Sequence, residues 1–419
     1  MRRADGTPLR VLIVGGSMAG LMAAGLFRAA GWQATLFERT RGDLTGRGAG
    51  LGISLELLKV MKRVGARFDP SIGVVHRSWL WLAADGKAAF ELAKPSMGSA
   101  WSRVYQALRQ TVPAEIYRAG MSVERVEQDE TGVAAIFADG SCAEGDLLVA
   151  ADGVLSTVRA QFLPEIQPRY AGYVAWRGIV EERDLPRETQ DIVSGRIVAC
   201  FPDGEMLLAM PVPGIGEDVR PGHRRCYFIW YRPADEAALV DLFTDATGRH
   251  HGAAIPPPLI RSEFIRAMKA RAAAVFAPPI AAVVERTAQP LLQAITDLEC
   301  PKLVFGRVVL TGDAGFVARP HVAAGVTKAA LNAECLVDSL VAGGGDIAAG
   351  LAAYERSQLD FGRRLVAYSR YLGAYLEAQT RPDAPAAELS RDPARIIREY
   401  GAPHLIHDLT PEHLQAMRA

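Results

Sequence analysis

The 419-residue sequence has few cysteines: Cys142, Cys200, Cys226, Cys300 and Cys335, scattered and odd in number. None forms a C-x-x-C pair, so neither a zinc knot nor a disulfide framework is indicated, and a reducing cytoplasm is the expected setting. The chain lacks net charge as well. Its 47 Lys and Arg balance 47 Asp and Glu, which removes the global basic field that favours nucleic acid or an anionic membrane. No stretch of about 18 uninterrupted apolar residues occurs, so no transmembrane helix is read. The mostly apolar segment 11–27 is broken by Gly15, Gly16 and Ser17, which argues against a cleaved signal peptide. Tandem repeats and a clear metal-ligand cluster are also missing. Apolar bulk, in contrast, is plentiful. Hydrophobic residues make up 49% of the chain, enough for a sizeable core in roughly two to three domains.

The most informative stretch is Arg10 to Arg28. Val11 to Val14 form a short apolar run of buried-strand type, and Gly15, Gly16 and Gly20 then mark a tight turn opening a small-residue helix. Such a turn lets backbone approach a pyrophosphate seated on the free N–H groups of a helix N-terminus. Ser17 replaces the second glycine of the usual G-x-G-x-x-G pattern. A second apolar strand, Ala34 to Phe37, ends in Glu38, where a carboxylate can accept hydrogen bonds from a ribose.

Further along, a glycine-dense loop (46–52) leads to a helix over 55–64. Residues 74–92 read as strands, 101–111 as a helix and 123–149 as a small antiparallel meander with turns at Asp129–Gly132 and Ala138–Gly140. The final strand of that run enters Ala151-Asp152-Gly153. Strands are expected at 173–180, 196–201, 206–210 and 226–231, followed by helical stretches over 259–286, 325–342 and 348–379. A strand near Arg307 runs into Gly312-Asp313, and a short helix at 393–400 lies in a polar, proline-containing tail. Nucleotide-type elements thus recur near residues 15, 152 and 313, with a sheet-rich block inserted between the last two. The expected division is a discontinuous cofactor unit of 1–75, 100–171 and 288–345. A substrate unit takes 76–99 and 172–287, and C-terminal helices and tail take 346–419.

Three segments stand together: Gly15–Gly20 with Glu38, Ala151–Arg159, and Gly312–Pro320. Their order and spacing resemble the class A flavoprotein aromatic hydroxylases, which have the para-hydroxybenzoate hydroxylase fold. Arg169–Gly178, Arg319–Lys328 and Ala100–Arg109 are similar to the 2,6-dihydroxypyridine 3-hydroxylase branch. The resemblance covers residues 10 to about 375. It implies an α/β fold with a Rossmann-like FAD-binding domain, an inserted β-sheet substrate domain and long C-terminal helices. The family usually places one arginine near the start of the helix at 101 and another in the glycine loop. Here Trp101 or Arg103 stands at the first place and Gly48 at the second.

The resemblance assigns non-covalent FAD to Gly15, Gly16, Ser17, Met18, Ala19, Gly20, Glu38, Arg39, Gly50, Leu51, Asp152, Asp313, Gly325 and Val326. Glu38 would hold the adenosine ribose and Asp313 the ribityl chain. Gly325 and Val326 would open a helix whose N-terminus stabilises negative charge on the reduced ring. Asp152 would touch both FAD and the nicotinamide cofactor; its plainer reading is an Asp-Gly turn, and that of Asp313 is a helix N-cap. The implied reaction uses NADH or NADPH to reduce FAD. O2 then adds to the flavin as a C4a-peroxide, and one oxygen passes to an electron-rich hydroxypyridine or phenolic ring. His321 is the candidate acid/base group, and Pro320, Tyr227, Tyr231 and Arg177 are candidate substrate contacts. Strand alternation alone leaves open which of these face inward, and the run 226–231 reads equally as sheet core. A flavin oxidase or dehydrogenase of the same fold and a non-catalytic flavin-binding protein are the alternatives. A small aromatic substrate and O2 are the expected partners, with a homodimer possible.

Overall fold

The computed structural model describes residues 6–44, 50–344, 346–381 and 392–401; Gly48 lies outside them. The apolar run Arg10–Val14 forms the centre of a six-stranded sheet. Its order is Val304–Phe305, Val308–Leu310, Leu147–Ala150, Arg10–Val14, Gln33–Glu38, Tyr117–Ala119. The central four strands are parallel, as expected of strands buried on both faces and reading as continuous hydrophobic runs. Their register aligns Val14 with Phe37 and Ala150, and Ala150 with Leu310. The segments that follow them therefore leave the sheet on one edge. The glycine turn, Asp152 and Asp313 all sit there, at the carboxyl ends where ligands bind in such sheets.

A second sheet has nine strands in the order Phe316–Val317, Leu291–Glu299, Arg169–Glu181, Arg225–Pro233, Met206–Val212, Arg196–Cys200, Val74–Leu82, Ala88–Ala100, Gly50–Ile53. The edge strand Gly50–Ile53 comes from the stretch read as a glycine loop. It and Leu291–Glu299, both allotted to the cofactor unit from sequence, hydrogen-bond into this larger sheet. The meander is a separate three-stranded sheet of Val123–Gln128, Val133–Phe137 and Cys142–Gly145.

Period-two alternation divides the large sheet into two faces. Trp176, Phe228 and Trp230 pack on one side with Met268, Phe276 and Ile280 from the helices Ser262–Val275 and Pro278–Glu285. Tyr173, Tyr227, Ile229 and Tyr231 lie on the other, with Trp79 and the tail residues Ile396, Ile397 and Tyr400. The long helices Gly325–Ala342 and Ile347–Glu377 and the short helix Pro393–Glu399 match their expected positions. Among the described residues no helix is long and apolar enough to cross a membrane.

Candidate active site

The glycine turn is shaped by close approach. A Cβ on Gly15, at φ +110°, would lie 2.2 Å from the Ala151 carbonyl oxygen, and one on Gly20 would lie 1.9 Å from that of Gly15. The turn is therefore pressed against both the 151–153 segment and its own helix, and only glycine permits either contact. Ser17 adopts extended geometry and does not cap the helix Met18–Ala29 with its side chain, so the first turn's N–H groups remain available to an anion. Met18 and Gly20 are buried, and Ala19 is half-buried.

Glu38 is buried, with its two oxygens accepting from the Gly16 and Thr40 N–H groups, each at 2.8 Å. The carboxylate thus locks the turn, and each oxygen keeps a second lone pair for a ribose hydroxyl. Beside it runs a groove lined by Gly15, Glu38, Arg39, Ser122, Asp152 and Leu155. Asp152 accepts the Val158 N–H at 3.2 Å through Oδ2 and feels the Ser156 hydroxyl, while its buried Oδ1 has no partner of good geometry among the described residues. Burial pushes this carboxyl up from the ordinary range. A buried acceptor without a donor is costly in isolation, and a bound polyol or amide supplies what it lacks.

Asp313 lies across the same edge, with its half-exposed carboxylate 2.6 Å from Lys328 Nζ. Lys328, itself buried, also donates to the Phe316 carbonyl. Arg159 joins the two acidic turns, donating to Ala314 O at 3.1 Å and Val154 O at 2.6 Å. Sequence reasoning quoted Lys328 and Arg159 within motifs but gave neither a role; a basic side chain three or more residues from an acidic turn was the available signal. The helix Gly325–Ala342 starts without a side-chain cap, and a Cβ on Gly325 would meet nothing within 4 Å. Val326 is half-buried behind it. An uncapped N-terminus facing open space, the glycine cradle and the orphaned Asp152 oxygen fit an anionic dinucleotide carrying a planar ring.

Just before that helix, Ala323 holds a left-handed backbone, φ 48°, an uncommon conformation for a residue with a side chain. It ends the turn Pro320–Val322. Pro320 is half-buried, and His321 is fully buried. His321 Nε2 lies 2.7 Å from the Tyr173 hydroxyl, and its buried Nδ1 has no partner among the described residues. Burial, aided by the nearby Arg319 charge, pushes its pKa down to about 3. The imidazole is therefore neutral at ordinary pH. Arg319 is wholly buried between Asp297, at 2.8 Å, and Glu377, at 2.6 Å, which pins the turn.

Arg177, Tyr227 and Tyr231 share the site face of the large sheet. Arg177 pairs across with Ile229, between Ile179–Tyr227 and Ala175–Tyr231. The Tyr227 ring packs on Gly50, where a Cβ would approach to 2.5 Å, bringing the Gly50–Leu51 strand against this face of the sheet. Arg177 Nε is buried without a hydrogen-bond partner, while its charge acts on the Tyr227, Tyr231 and Tyr400 hydroxyls. Burial raises all three phenols above their usual range. Arg103 is turned toward Ser71, at 2.6 Å, and Trp101 stacks on Tyr105.

A family model described as FAD binding domain-like matches residues 170–297. The 2,6-dihydroxypyridine 3-monooxygenase of Paenarthrobacter nicotinovorans is 29% identical over 84% of this chain and 88% of the relative. The solved structure of 2,6-dihydroxypyridine-3-hydroxylase from Arthrobacter nicotinovorans superposes with a TM-score of 0.83 at 28% identity, covering 91% of this chain and 96% of that one. Over most of its length the chain is similar to class A FAD-dependent aromatic hydroxylases. A further relative of this flavoprotein is the 6-hydroxynicotinate 3-monooxygenase of Bordetella bronchiseptica, 25% identical over 89% of this chain and 94% of the relative. Klebsiella pneumoniae HpxO, solved with FAD and uric acid, shares the fold at a TM-score of 0.72 and 23% identity, over 97% of each chain. The flavoprotein is an enzyme, with FAD as cofactor and NAD(P)H as co-substrate.

Proposed function

We propose that this flavoprotein hydroxylates an electron-rich hydroxypyridine or phenolic ring bound as its anion, beside Arg177 and the contact that Tyr231 makes with the His321 turn. The observation that carries this reading is Arg177, whose buried Nε lacks a partner among the described residues, on a face otherwise made of apolar side chains and phenols. A guanidinium beside a ring oxygen favours the ionised form, and ionisation enriches the ring for attack by an electrophilic oxygen. The balance is NAD(P)H + H⁺ + O2 + ring C–H giving NAD(P)⁺ + H2O + ring C–OH. FAD, when bound, would supply the two-electron redox chemistry that links NAD(P)H to O2.

The chain's own residues supply the rest. Glu38, Arg39, Asp152, Asp313 and the two uncapped helix starts hold the dinucleotide, without a covalent link. His321, neutral, uses Nδ1 to hydrogen-bond the ring oxygen, while Tyr173 fixes its other nitrogen. Burial makes it a poor store for a proton, so its role is to hold the ring oxygen. The buried aromatic face keeps bulk water from the reacting edge. A cytoplasmic setting is supported by all five cysteines being free thiols.

The test is a panel of hydroxypyridines and phenols, scored for coupled NAD(P)H oxidation and for product mass under isotopically labelled O2. One labelled oxygen in the product is expected. NAD(P)H-independent substrate oxidation would favour the oxidase or dehydrogenase reading, and bound flavin without turnover of any ring would favour a non-catalytic protein. Acid precipitation should release the flavin into the supernatant; colour kept in the pellet would overturn the non-covalent assignment.

A further inference from the structure

The C-terminal tail reaches the substrate face. The helix Pro393–Glu399, capped by the Asp392 side chain, buries Ile396 and Ile397 among Tyr173, Tyr227 and Tyr231. Tyr400 follows, only 5% exposed. Its hydroxyl lies 3.2 Å from that of Tyr231, and its ring centroid is 5.2 Å from Trp79 and 5.9 Å from His321. The Gly401 N–H donates to the His321 carbonyl at 3.2 Å, so the tail closes directly on the turn that carries the histidine.

This seat is built and specific. Lys94 Nζ, from the strand Ala88–Ala100, donates to the carbonyls of Ile397, Arg398 and Tyr400 at 3.0, 2.7 and 2.7 Å. Those are the acceptors a helix C-terminus leaves unsatisfied, and a cation is the favoured partner for them. The Tyr368 hydroxyl donates to the Glu399 carbonyl at 3.0 Å, and the Arg398 guanidinium lies over the Phe90 ring. Anchors from the long helix and from the sheet therefore converge on one turn of chain. The residue they hold in place is a tyrosine aimed at the site.

We propose that the segment Asp392–Gly401 forms the outer wall of the ring-binding site, with Tyr400 as a specificity-determining residue that excludes water and orients Tyr231. The inference rests on the hydroxylase reading above. A wall of this kind acts on the partition between two outcomes of O2 reduction. Coupled turnover yields hydroxylated ring and water. Uncoupled turnover follows NAD(P)H + H⁺ + O2 giving NAD(P)⁺ + H2O2. A ring held loosely, or reached by water, sends more electrons down the second route.

The experiment compares full-length holoenzymes of the parent, Tyr400→Ala, Tyr400→Phe and Lys94→Met. A hydroxypyridine that the parent hydroxylates serves as probe. The readouts are FAD content, substrate Kd from perturbation of the flavin absorbance, and the hydrogen peroxide share of NAD(P)H consumed. Tyr400→Ala should retain its flavin, bind the probe about 3- to 10-fold more weakly, as expected for removal of one aromatic contact, and release more peroxide. Lys94→Met, distant from the ring, should shift the peroxide share in the same direction. Tyr400→Phe should bind nearly as the parent does, with a smaller rise in peroxide. If Tyr400→Ala and Lys94→Met couple like the parent, the wall is refuted while the hydroxylase reading stands. Tighter probe binding in Tyr400→Ala would refute it too, because Tyr400 would then be occupying the ring's place. A parent that hydroxylates no ring would overturn both.

Discussion

Two arginines border the same site and are treated in opposite ways. Arg319 has a carboxylate on either side, Asp297 and Glu377, which in turn meet Arg370, Arg169 and Arg381. Arg177 acts on the Tyr227, Tyr231 and Tyr400 hydroxyls, and among the described residues its buried Nε has no hydrogen-bond partner. A buried charge flanked by two carboxylates holds structure in place, because its field is spent on them even though, in Arg319, Nη1 and Nη2 lack hydrogen-bond partners among the described residues. One left unpaired keeps its field for a ligand. The first pins the turn carrying His321; the second is the one proposed above to meet an anionic ring.

The largest effect should come from breaking the paired side. Arg319→Met strands Asp297 and Glu377 in the interior, and removing one partner of a buried pair costs about 3–5 kcal/mol. The low end is expected here, since Arg370 still reaches Asp297 at 2.7 Å. Denaturant unfolding of the holoenzyme measures it, and an unchanged midpoint would show that the network contributes nothing to stability.

Arg177→Gln should spare stability and weaken binding of an ionised ring. A hydrogen bond to a charged group is worth about 1.5–3 kcal/mol, or roughly 10- to 150-fold in Kd at 1.4 kcal/mol per decade. Neutral ring analogues should lose much less. Equal loss for charged and neutral rings would end the contrast between the two arginines.

The two acidic turns offer a similar but weaker contrast. Glu38→Ala removes a buried acceptor and unlocks the glycine turn, so FAD affinity should fall by about 10-fold or more. Asp313→Ala removes a half-exposed carboxylate already paired with Lys328, and its effect should be several-fold smaller. Titration of apoprotein with FAD gives both values; the reverse order would reassign the ribityl contact.

The smallest effect on turnover concerns pH. His321 stays neutral down to about pH 3 in the folded chain, so hydroxylation should show no His321 inflection near 6.5. An inflection there that vanishes in His321→Gln would restore the histidine as a titrating base. The same group links pH to stability. The unfolded chain takes up a proton near the ordinary histidine pKa, about 6.5, and the folded chain does not until about 3. Its contribution is therefore complete above about 6.5 and declines as pH falls toward 3. Thermal unfolding should decline less steeply over that window in His321→Gln.

Much of this protein is determined locally. Strand, glycine turn and helix at residues 10–29, the three recurring nucleotide elements, the meander and the long helices are legible because each depends on short-range periodicity and on backbone conformations that only certain residues accept. The run 226–231 is legible as a strand for the same reason. Whether Tyr227 and Tyr231 face a site or a core is not, because alternation marks two faces without naming what covers either. Only the packing of two helices over Trp176, Phe228 and Trp230 decides that the tyrosines lie on the opposite face, which Trp79 and the tail residues cover. The pairing of Gly50–Ile53 into the large sheet escapes notice because its glycines carry no side-chain pattern to read. The ion pairs of Arg319 join residues 22 and 58 positions apart in the chain, and the Tyr231–Tyr400 contact spans 169. Local propensity carries no information about such meetings, since tertiary burial alone sets which charge is neutralised and which is left for a substrate.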